Sequence, residues 1–401
     1  MNTYTTSVPK PVSGARAGAV VLGGDFQGLG IVRSLGRRGT PVCVIDDEYS
    51  IARFSNYTTQ AVRVPDLRDE ARTVEAVLDV GRRMGLEGWV LYPTRDELVA
   101  TLSRHHDVLA EVFRVPTPGW QSVQWAWDKR NTYRLAEQLG IPTPRTWYPE
   151  DLGDLDAIDM EPPLAIKPAI KEHFIYATKA KAWRANSRSE LVNRFLEAAA
   201  LVPRGEVMVQ ELIPGDGCQQ YSYCAFFKGG QAIGSMVARR RRQHPPEFGR
   251  ATTFAETIDL PLLEELSQRF LRAIDYYGLV ELEYKRDPRD GAFKLLDVNA
   301  RTWGYHTLGF RAGVDFPYLL FLDQMGSPVP QCQAQAGVRW IRLVTDVPTC
   351  VLEMLGGRLP WREFLRSLRT FQIESVFCRE DMLPGVMELA LVPYLYMRRG
   401  F

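Results

Sequence analysis

The chain has 401 residues, 45% of them hydrophobic and 24% charged. That length suits two or three domains, and a composition at the globular average excludes disordered and fibrous architectures. The 49 Lys and Arg against 48 Asp and Glu leave a net charge of +1, so no global field draws the protein to nucleic acid, and nucleic acid is not an expected partner. Six cysteines, none in a CxxC pair, and five histidines give no zinc or iron–sulfur spacing. They read as reduced thiols of a cytosolic protein, and the expected location is cytoplasmic. The run AGAVVLGG is short and leads straight into Asp25, so it reads as a first strand and not a signal peptide. No run approaches 18 apolar residues.

In chain order, residues 18–50 read as strand, glycine turn, helix and strand, a βαβ unit with parallel strands. A helix over 69–85, the strand WVLYP at 89–93 and a helix over 94–113 continue the alternation, which predicts an open parallel α/β domain. VPTPGW at 115–120 marks a boundary. An amphipathic helix follows over 122–139, stopped by Gly140 and Pro142. PLAIKPAI is a strand, then come an exposed loop, the strand TKAKAWRA and a helix capped by Ser187 or Ser189. VMVQELIPG is a strand ending in a turn, and a hairpin turns on Gly229-Gly230. Residues 239–256 read as a loop. LPLLEELSQRFLRAIDYYG is a helix, and 278–301 is a hairpin turning on Asp-Pro and Asp-Gly. Residues 327–401 are weakly patterned.

The hairpin at 278–301 carries the strongest chemical signal. Glu281 and Glu283 alternate with apolar residues and so share one face. Asp297 and Asn299 do likewise on the return strand, with Arg301 next in phase. Oxygen donors converging on one face with an arginine beside them suit a magnesium nucleotide, since magnesium takes a few carboxylates and shares its other positions with phosphate and water. Lys167 sits in an apolar strand, where an unpaired ammonium is costly, and so predicts an anionic partner. Lys129 opens a helix. The strand end at 211–213 exposes backbone able to read an adenine edge. The glycine turn at 23–30 fits a dinucleotide fingerprint poorly, with Asp46 or Asp47 as the acid downstream. Close helix–strand packing explains it as well.

In this order the pieces resemble the ATP-grasp superfamily of carboxylate–amine ligases, over roughly 18–315. Within it the likeness is to a group of predicted ATP-dependent carboligases related to ligases that attach an amino acid to an amine. The resemblance implies a pre-ATP-grasp α/β domain (18–118), a two-subdomain ATP-grasp domain (119–326, with a lid at about 145–212) and a C-terminal extension (327–401). WDKRNTYRLAEQLGIPTP resembles the family's opening helix, which makes Lys129 a phosphate lysine. PLAIKPAI makes Lys167 the lysine on the α- and β-phosphates. VQELIPG makes Glu211, Leu212 and Ile213 the adenine hinge, with Asp216 on the ribose. VELEYK and LLDVNAR make Glu283, Asp297 and Asn299 the magnesium ligands, Glu281 the fallback, and Arg301 a contact to phosphate or intermediate. The family's glycine-rich phosphate lid is replaced by KPAIKEHFIYATK, leaving Lys171, His173 or Lys179 to cover the phosphates.

The implied cofactors are ATP and Mg2+. The implied reaction joins a small, amino-acid-like acid to an amine through an acylphosphate, releasing ADP and phosphate. A nicotinamide-dependent oxidoreductase built on the glycine turn, or a non-catalytic ATP-binding regulatory protein, are the alternatives. Thr94, Arg95 and Asp96 lie after a strand at the sheet edge where α/β proteins bind ligands, and Arg241 and Arg250 belong to the arginine-rich loop. These five are the expected substrate residues. The tail MLPGVMELALVPYLYMRRGF reads as a domain-packing segment or an oligomer contact, with a homodimer as the assembly. An interfacial helix touching a membrane is the alternative.

Overall fold

The computed structural model of the protein describes residues 17–203, 205–215 and 217–399. Its first sheet holds β1 (Ala19–Leu22), β2 (Val42–Asp46), β3 (Gln60–Arg63) and β4 (Val90–Pro93), all parallel in the order β3-β2-β1-β4. β1, β2 and β4 are buried throughout, as apolar runs are when helices cover both faces of a parallel sheet. The helices are α1 (Phe26–Gly36), α2 (Glu70–Met84) and α3 (Asp96–Arg104). Alternation along β1 sends Val20 and Leu22 into a core with α2 and α3. Ala19 and Val21 enter a second core that includes Trp303, Phe316 and Trp340 from far along the chain.

The helices predicted over 94–113 and 122–139 are each broken in two. α3 ends at His105 and is followed by α4 (His106–Ala110), and α5 (Trp120–Trp127) is separated from α6 (Lys129–Gln138) by Asp128. Asp128 is extended, and its carboxylate accepts from the Arg130 N–H at 2.9 Å. Aspartate gains more as an N-cap than inside a helix. The break frees the Lys129 N–H to reach the Ala169 carbonyl at 3.1 Å, which ties this helix to the next sheet.

That second sheet is antiparallel, with β5 (Thr146–Trp147), β6 (Leu164–Pro168), β7 (Trp183–Ala185) and β8 (Val207–Glu211) in the order β5-β8-β6-β7. The loop expected after β6 is a helix, α7 (Lys171–Thr178), and α8 (Arg188–Ala199) follows with Ser187 as its N-cap. α7 forms because Phe174 packs edge-on to Trp183 at 4.6 Å between ring centroids. Lys179 closes the helix in the left-handed conformation (φ 57).

The third sheet is the largest. It contains β9 (Gln220–Lys228), β10 (Gln231–His244), β11 (Ala251–Ile258), β12 (Gly278–Arg286), β13 (Phe293–Asn299), β14 (Cys332–Gln333), β15 (Arg339–Ile341) and β16 (Ile373–Glu374). Its order is β13-β12-β9-β10-β11-β15-β16, with β14 on β10. The turn between β9 and β10 has φ 57 at Gly229 and φ 77 at Gly230, the conformation a two-residue hairpin demands. Residues 239–244, expected in a loop, complete β10. α9 (Pro261–Ala273) packs on one face with Val280, Leu282 and Tyr284. The other face carries Leu279, Cys224 and Met236 and is shared with the first sheet, α10 (Thr307–Arg311) and α11 (Phe316–Gln324).

The C-terminal segment is integrated into this body. Its helices are α12 (Leu343–Leu355), α13 (Trp361–Thr370) and α14 (Leu383–Arg399). The buried pairs Arg242–Asp346 at 2.7 Å and Arg33–Asp381 at 2.8 Å tie the segment to the body, Arg242 also donates to Ser367 of α13 at 2.9 Å, and Arg342–Glu388 at 2.6 Å joins the start of α12 to α14. Among the described residues no helix is long and apolar enough to cross a membrane.

Candidate active site

Register builds the centre of the site. β12 and β13 pair Glu281 with Asn299 and Glu283 with Asp297, so four polar side chains stand on the face turned toward the first sheet. Asn299 Nδ2 lies 3.1 Å from Glu281 Oε2 and 3.0 Å from Glu283 Oε1. Its amide bridges two carboxylates, the position in which an oxygen-seeking cation would sit. Glu281 is also bonded by the Tyr305 hydroxyl at 2.5 Å. Burial, and then the neighbouring Glu283, raise the Glu281 pKa. Burial acts the same way on Glu283, but Arg240 and Lys181 outweigh it and hold Glu283 below the usual range.

Four cations from separate parts of the chain surround these acids. Lys129, at the first turn of α6, pairs with Asp297. Burial would raise Asp297, yet Lys129 and Lys171 hold it down to about 2. Lys171, at the start of α7, donates to Asn299 Oδ1 at 3.1 Å and pairs with Asp96 at 2.6 Å. Arg301, just past β13, reaches the same Asp96 at 2.9 Å and Asn299 Oδ1 at 3.3 Å. Asp96 therefore joins the first domain to the acid hairpin through two cations. Arg240 on β10 pairs with Glu283 at 3.2 Å and donates to Gln220 at 2.6 Å.

A cavity of about 370 Å³ opens beside this cluster. Its walls include Asp25, Thr94, Arg95, Lys181, His244 and Arg250, and Arg342, Thr345 and Leu395 close it from the C-terminal segment. Next to it, a cleft of about 910 Å³ runs between the second and third sheets past Lys167, Glu211, Leu212, Ile213 and Leu296. Lys167 donates to the Tyr133 hydroxyl at 2.7 Å, and burial lowers its pKa to about 8 against the opposing pull of Asp297 and Glu283. Lys285 donates to the carbonyls of Ile213 at 2.8 Å and Gly215 at 3.0 Å, fixing the course of the chain beyond β8.

Other expected residues are placed differently. The Glu211 carboxylate turns to Lys294 at 2.5 Å and Arg289 at 2.8 Å, and its N–H donates to the Arg145 carbonyl at 2.9 Å, so its side chain is not left to meet a ligand. Lys179 is exposed at the far end of α7, against a separate cavity shared with Gly23 and Arg68. His173 pairs with Glu206 at 2.8 Å and not with the acid hairpin. The Thr94 hydroxyl donates to the Leu22 carbonyl at 2.8 Å, and Arg95 is held by Asp46 at 2.7 Å and Asp47 at 2.8 Å. Both line the cavity with their polar groups already engaged. Arg241 does not line it. It is the extra residue at a break in the β10–β11 register and pairs with Glu256 at 3.3 Å, while its neighbour Arg240 faces the acids. Asp216 lies outside the described residues.

The glycine turn is filled by packing. A Cβ on Gly28 would meet the Gly23 carbonyl at 2.2 Å, and one on Gly30 would meet His306 at 2.5 Å. Asp46 accepts from the Gly24 N–H at 2.6 Å and is paired with Arg95, so it is not free to hold a ribose.

Sequence reasoning missed Lys181, Arg240, Glu172 and Arg342. Burial lowers Lys181, and Glu283 opposes this. Burial raises Glu172 to about 7, and Lys171 opposes it. Alternation counted from the Gly229-Gly230 turn could have found Arg240. No local signal marks Arg342, which sits in a weakly patterned stretch.

Among the described residues no three His, Cys, Asp or Glu side chains form a metal cluster by themselves. Glu283, its cross-strand partner Asp297 and the Asn299 amide, with Glu281 beside them, make an all-oxygen donor set once the amide rotates. The two ends of an amide are close to isosteric, so this set fits a hard divalent ion that takes its remaining ligands from phosphate.

A parallel α/β domain, followed by a small antiparallel sheet and a large one with a cation-lined cleft between them, is the ATP-grasp fold. The comparisons agree. No family model matches the chain. It is 23% identical over 301 residues to D-aspartate ligase of Enterococcus faecium, covering 70% of each chain. Among solved structures it is similar to an L-amino acid ligase from Bacillus licheniformis, with TM-score 0.60 and 15% identity over 77% of this chain and 74% of that one. It is likewise similar to N5-carboxyaminoimidazole synthetase from Staphylococcus aureus complexed with ADP, with TM-score 0.62 and 15% identity over 81% and 82%. At such identities the likeness establishes the fold, and the chemistry must be argued from the site.

Proposed function

We propose that the protein is an ATP-dependent ligase that joins a small carboxylic acid to an amine. The observation that carries this reading is the pair of β12 carboxylates converging on Asn299 among buried and half-buried cations, between the 910 Å³ cleft and the smaller cavity. D-aspartate ligase and L-amino acid ligase among its relatives support amino-acid-like substrates.

In this reading adenine enters the cleft against the backbone of 211–213. Lys167 and Lys129 hold the inner phosphates, and Lys171, Lys181 and Arg301 face the γ-phosphate. Glu283, Asn299 and Asp297 would hold magnesium, with Glu281 beside them. The ion would neutralise phosphate charge. A carboxylate oxygen of the acid attacks the γ-phosphorus, ADP leaves, and an acylphosphate forms. The amine nitrogen then bonds to the acyl carbon, and phosphate departs with the former carboxylate oxygen. The chain's contribution is positioning and charge neutralisation, as phosphoryl transfer requires. Glu172, on the cavity wall with a pKa of about 7, is placed to take the proton the amine loses.

Asp297→Ala and Asn299→Ala are each expected to lose about 10²-fold or more in turnover, as for the loss of a transition-state charge contact. Near-native turnover in both would remove the metal assignment. The reaction is tested by ADP release from Mg-ATP across a grid of acids and amines. Release that requires one of each supports the ligase. Release that needs neither, or silence across a grid including all common amino acids, contradicts it.

A further inference from the structure

Helix α12 is built inside out, and α14 is apolar on its exposed face as well as its buried one. α12 buries Thr345, Asp346, Thr349 and Cys350 and exposes Val347, Val351, Leu352 and Leu355. α14 buries its one acid, Glu388, against Arg342 and exposes Met382 just before its first turn, then Val386, Leu389, Pro393 and Met397. Those five positions follow the i, i+4, i+7, i+11, i+15 spacing of a single helical stripe. The exposure is deep: Leu355 is 81% accessible, Met397 74%, Met382 66%, and Trp361 at the start of α13 60%. A helix at a protein–water boundary normally has the opposite arrangement, and contiguous exposed apolar surface marks an interaction site.

The charges around these stripes indicate what covers them. Arg362, Arg366 and Arg369 lie along α13 beside Trp361 and Leu365, and Arg379 is exposed in the turn before α14. The acids of the segment are largely withdrawn. Asp346, Asp381 and Glu388 are buried in ion pairs with Arg242, Arg33 and Arg342, and exposed Glu380 is paired with Arg37. Glu363 is the other exposed acid among the described residues of these helices. Apolar stripes with a basic rim match the boundary of an anionic bilayer, where apolar side chains enter the acyl region and arginines meet lipid phosphate. A second copy of the chain fits less well, because a twofold contact places the same surface against itself and would set arginine against arginine.

We propose that α12–α14 form a peripheral docking surface for anionic lipid bilayers. This rests on the C-terminal helices alone and not on the ligase reading. It also has a consequence for that reading. Leu395 of α14, together with Arg342 and Thr345, walls the 370 Å³ cavity, so docking places one wall of the candidate substrate site at the membrane surface.

The test is co-sedimentation of the full chain with vesicles of phosphatidylcholine alone or with about one third phosphatidylglycerol, at low and high salt. Partitioning onto the anionic vesicles, lost in high salt and weak on pure phosphatidylcholine, is expected. Arg362→Glu/Arg366→Glu/Arg369→Glu should weaken it by at least about 100-fold, given the attraction each basic residue contributes near such a surface. Leu352→Ser/Leu355→Ser/Leu389→Ser should weaken it without changing net charge. Absence of binding to anionic vesicles at low salt would overturn the proposal. So would a protein that is dimeric without vesicles and becomes monomeric with the serine substitutions, since a second copy would then cover the face.

Discussion

Lys167→Met separates the cost of the site from its use. The lysine ordinarily titrates at 10.5, and burial in the cleft lowers it to about 8. A depression of that size corresponds to about 3 kcal/mol spent in keeping the ammonium charged. The direction follows from proton counting. Between pH 8 and 10.5 the unfolded chain holds a proton that the folded chain has released, so this group adds stability as pH rises through that window. Below pH 8 the full cost is present.

Methionine keeps the length of the side chain and removes the charge, and the Tyr133 hydroxyl remains bonded to the Leu296 carbonyl at 2.9 Å. Lys167 retains partial access to water and gives up one hydrogen bond, so the expected gain at pH 7 is about 1–2 kcal/mol. Thermal unfolding should therefore occur at higher temperature in the nucleotide-free variant, while the rise in Tm produced by Mg-ATP should shrink or vanish. In the unmodified protein nucleotide affinity should be flat below pH 8 and fall about tenfold per pH unit above it, because the bound phosphates require the protonated amine. In the variant that dependence should be absent. A variant destabilised by more than 1 kcal/mol, or one keeping the full Mg-ATP shift, would refute the reasoning.

Three further outcomes follow from the geometry. Arg240→Ala should lower kcat/KM by about 10²-fold or more, because it removes the cation paired with Glu283, whereas Arg241→Ala should stay within about threefold; equal effects would mean that the strand phase is wrong. Turnover should rise with pH through about 7 as Glu172 ionises and becomes able to accept a proton. Glu172→Gln should lose that dependence and about 10²-fold in kcat, and an unchanged profile would exclude the role. Asp381→Ala should cost about 3–5 kcal/mol, because the buried Arg33 loses its counter-charge. It should also expose the C-terminal segment to limited proteolysis, and a protein as stable and protease-resistant as the original would show that the pair does not anchor that segment.

The legible parts of the chain were those where one local rule acts alone. Strict alternation in VELEY and LLDVN places Glu281, Glu283, Asp297 and Asn299 on one face, and the structure pairs them in that register. The βαβ start was readable because a buried apolar strand and a glycine turn leave few options. Reading failed where tertiary contacts decide. KEHFIYAT has no strong helical period, yet it folds as α7 because Phe174 finds Trp183. Four consecutive arginines resemble a solvated loop, but each has a partner in the folded chain: Arg239 donates to the Cys218 carbonyl, Arg240 pairs with Glu283, Arg241 with Glu256 and Arg242 with Asp346. Those partners are remote in sequence, so a strand carrying them cannot be recognised locally. Arg342 reaches the cavity from the single residue between the three-residue strand β15 and α12, and no periodicity can be read from so short an element.

The ligase reading turns on where the carboxylate oxygen goes. Once the grid of acids and amines has identified a reacting pair, the acid should be supplied with both carboxylate oxygens labelled as 18O and the released phosphate analysed by mass. Transfer of one 18O per turnover into inorganic phosphate, with ADP as the nucleotide product, is the predicted result. Unlabelled phosphate, or AMP and pyrophosphate in place of ADP, would contradict an acylphosphate route.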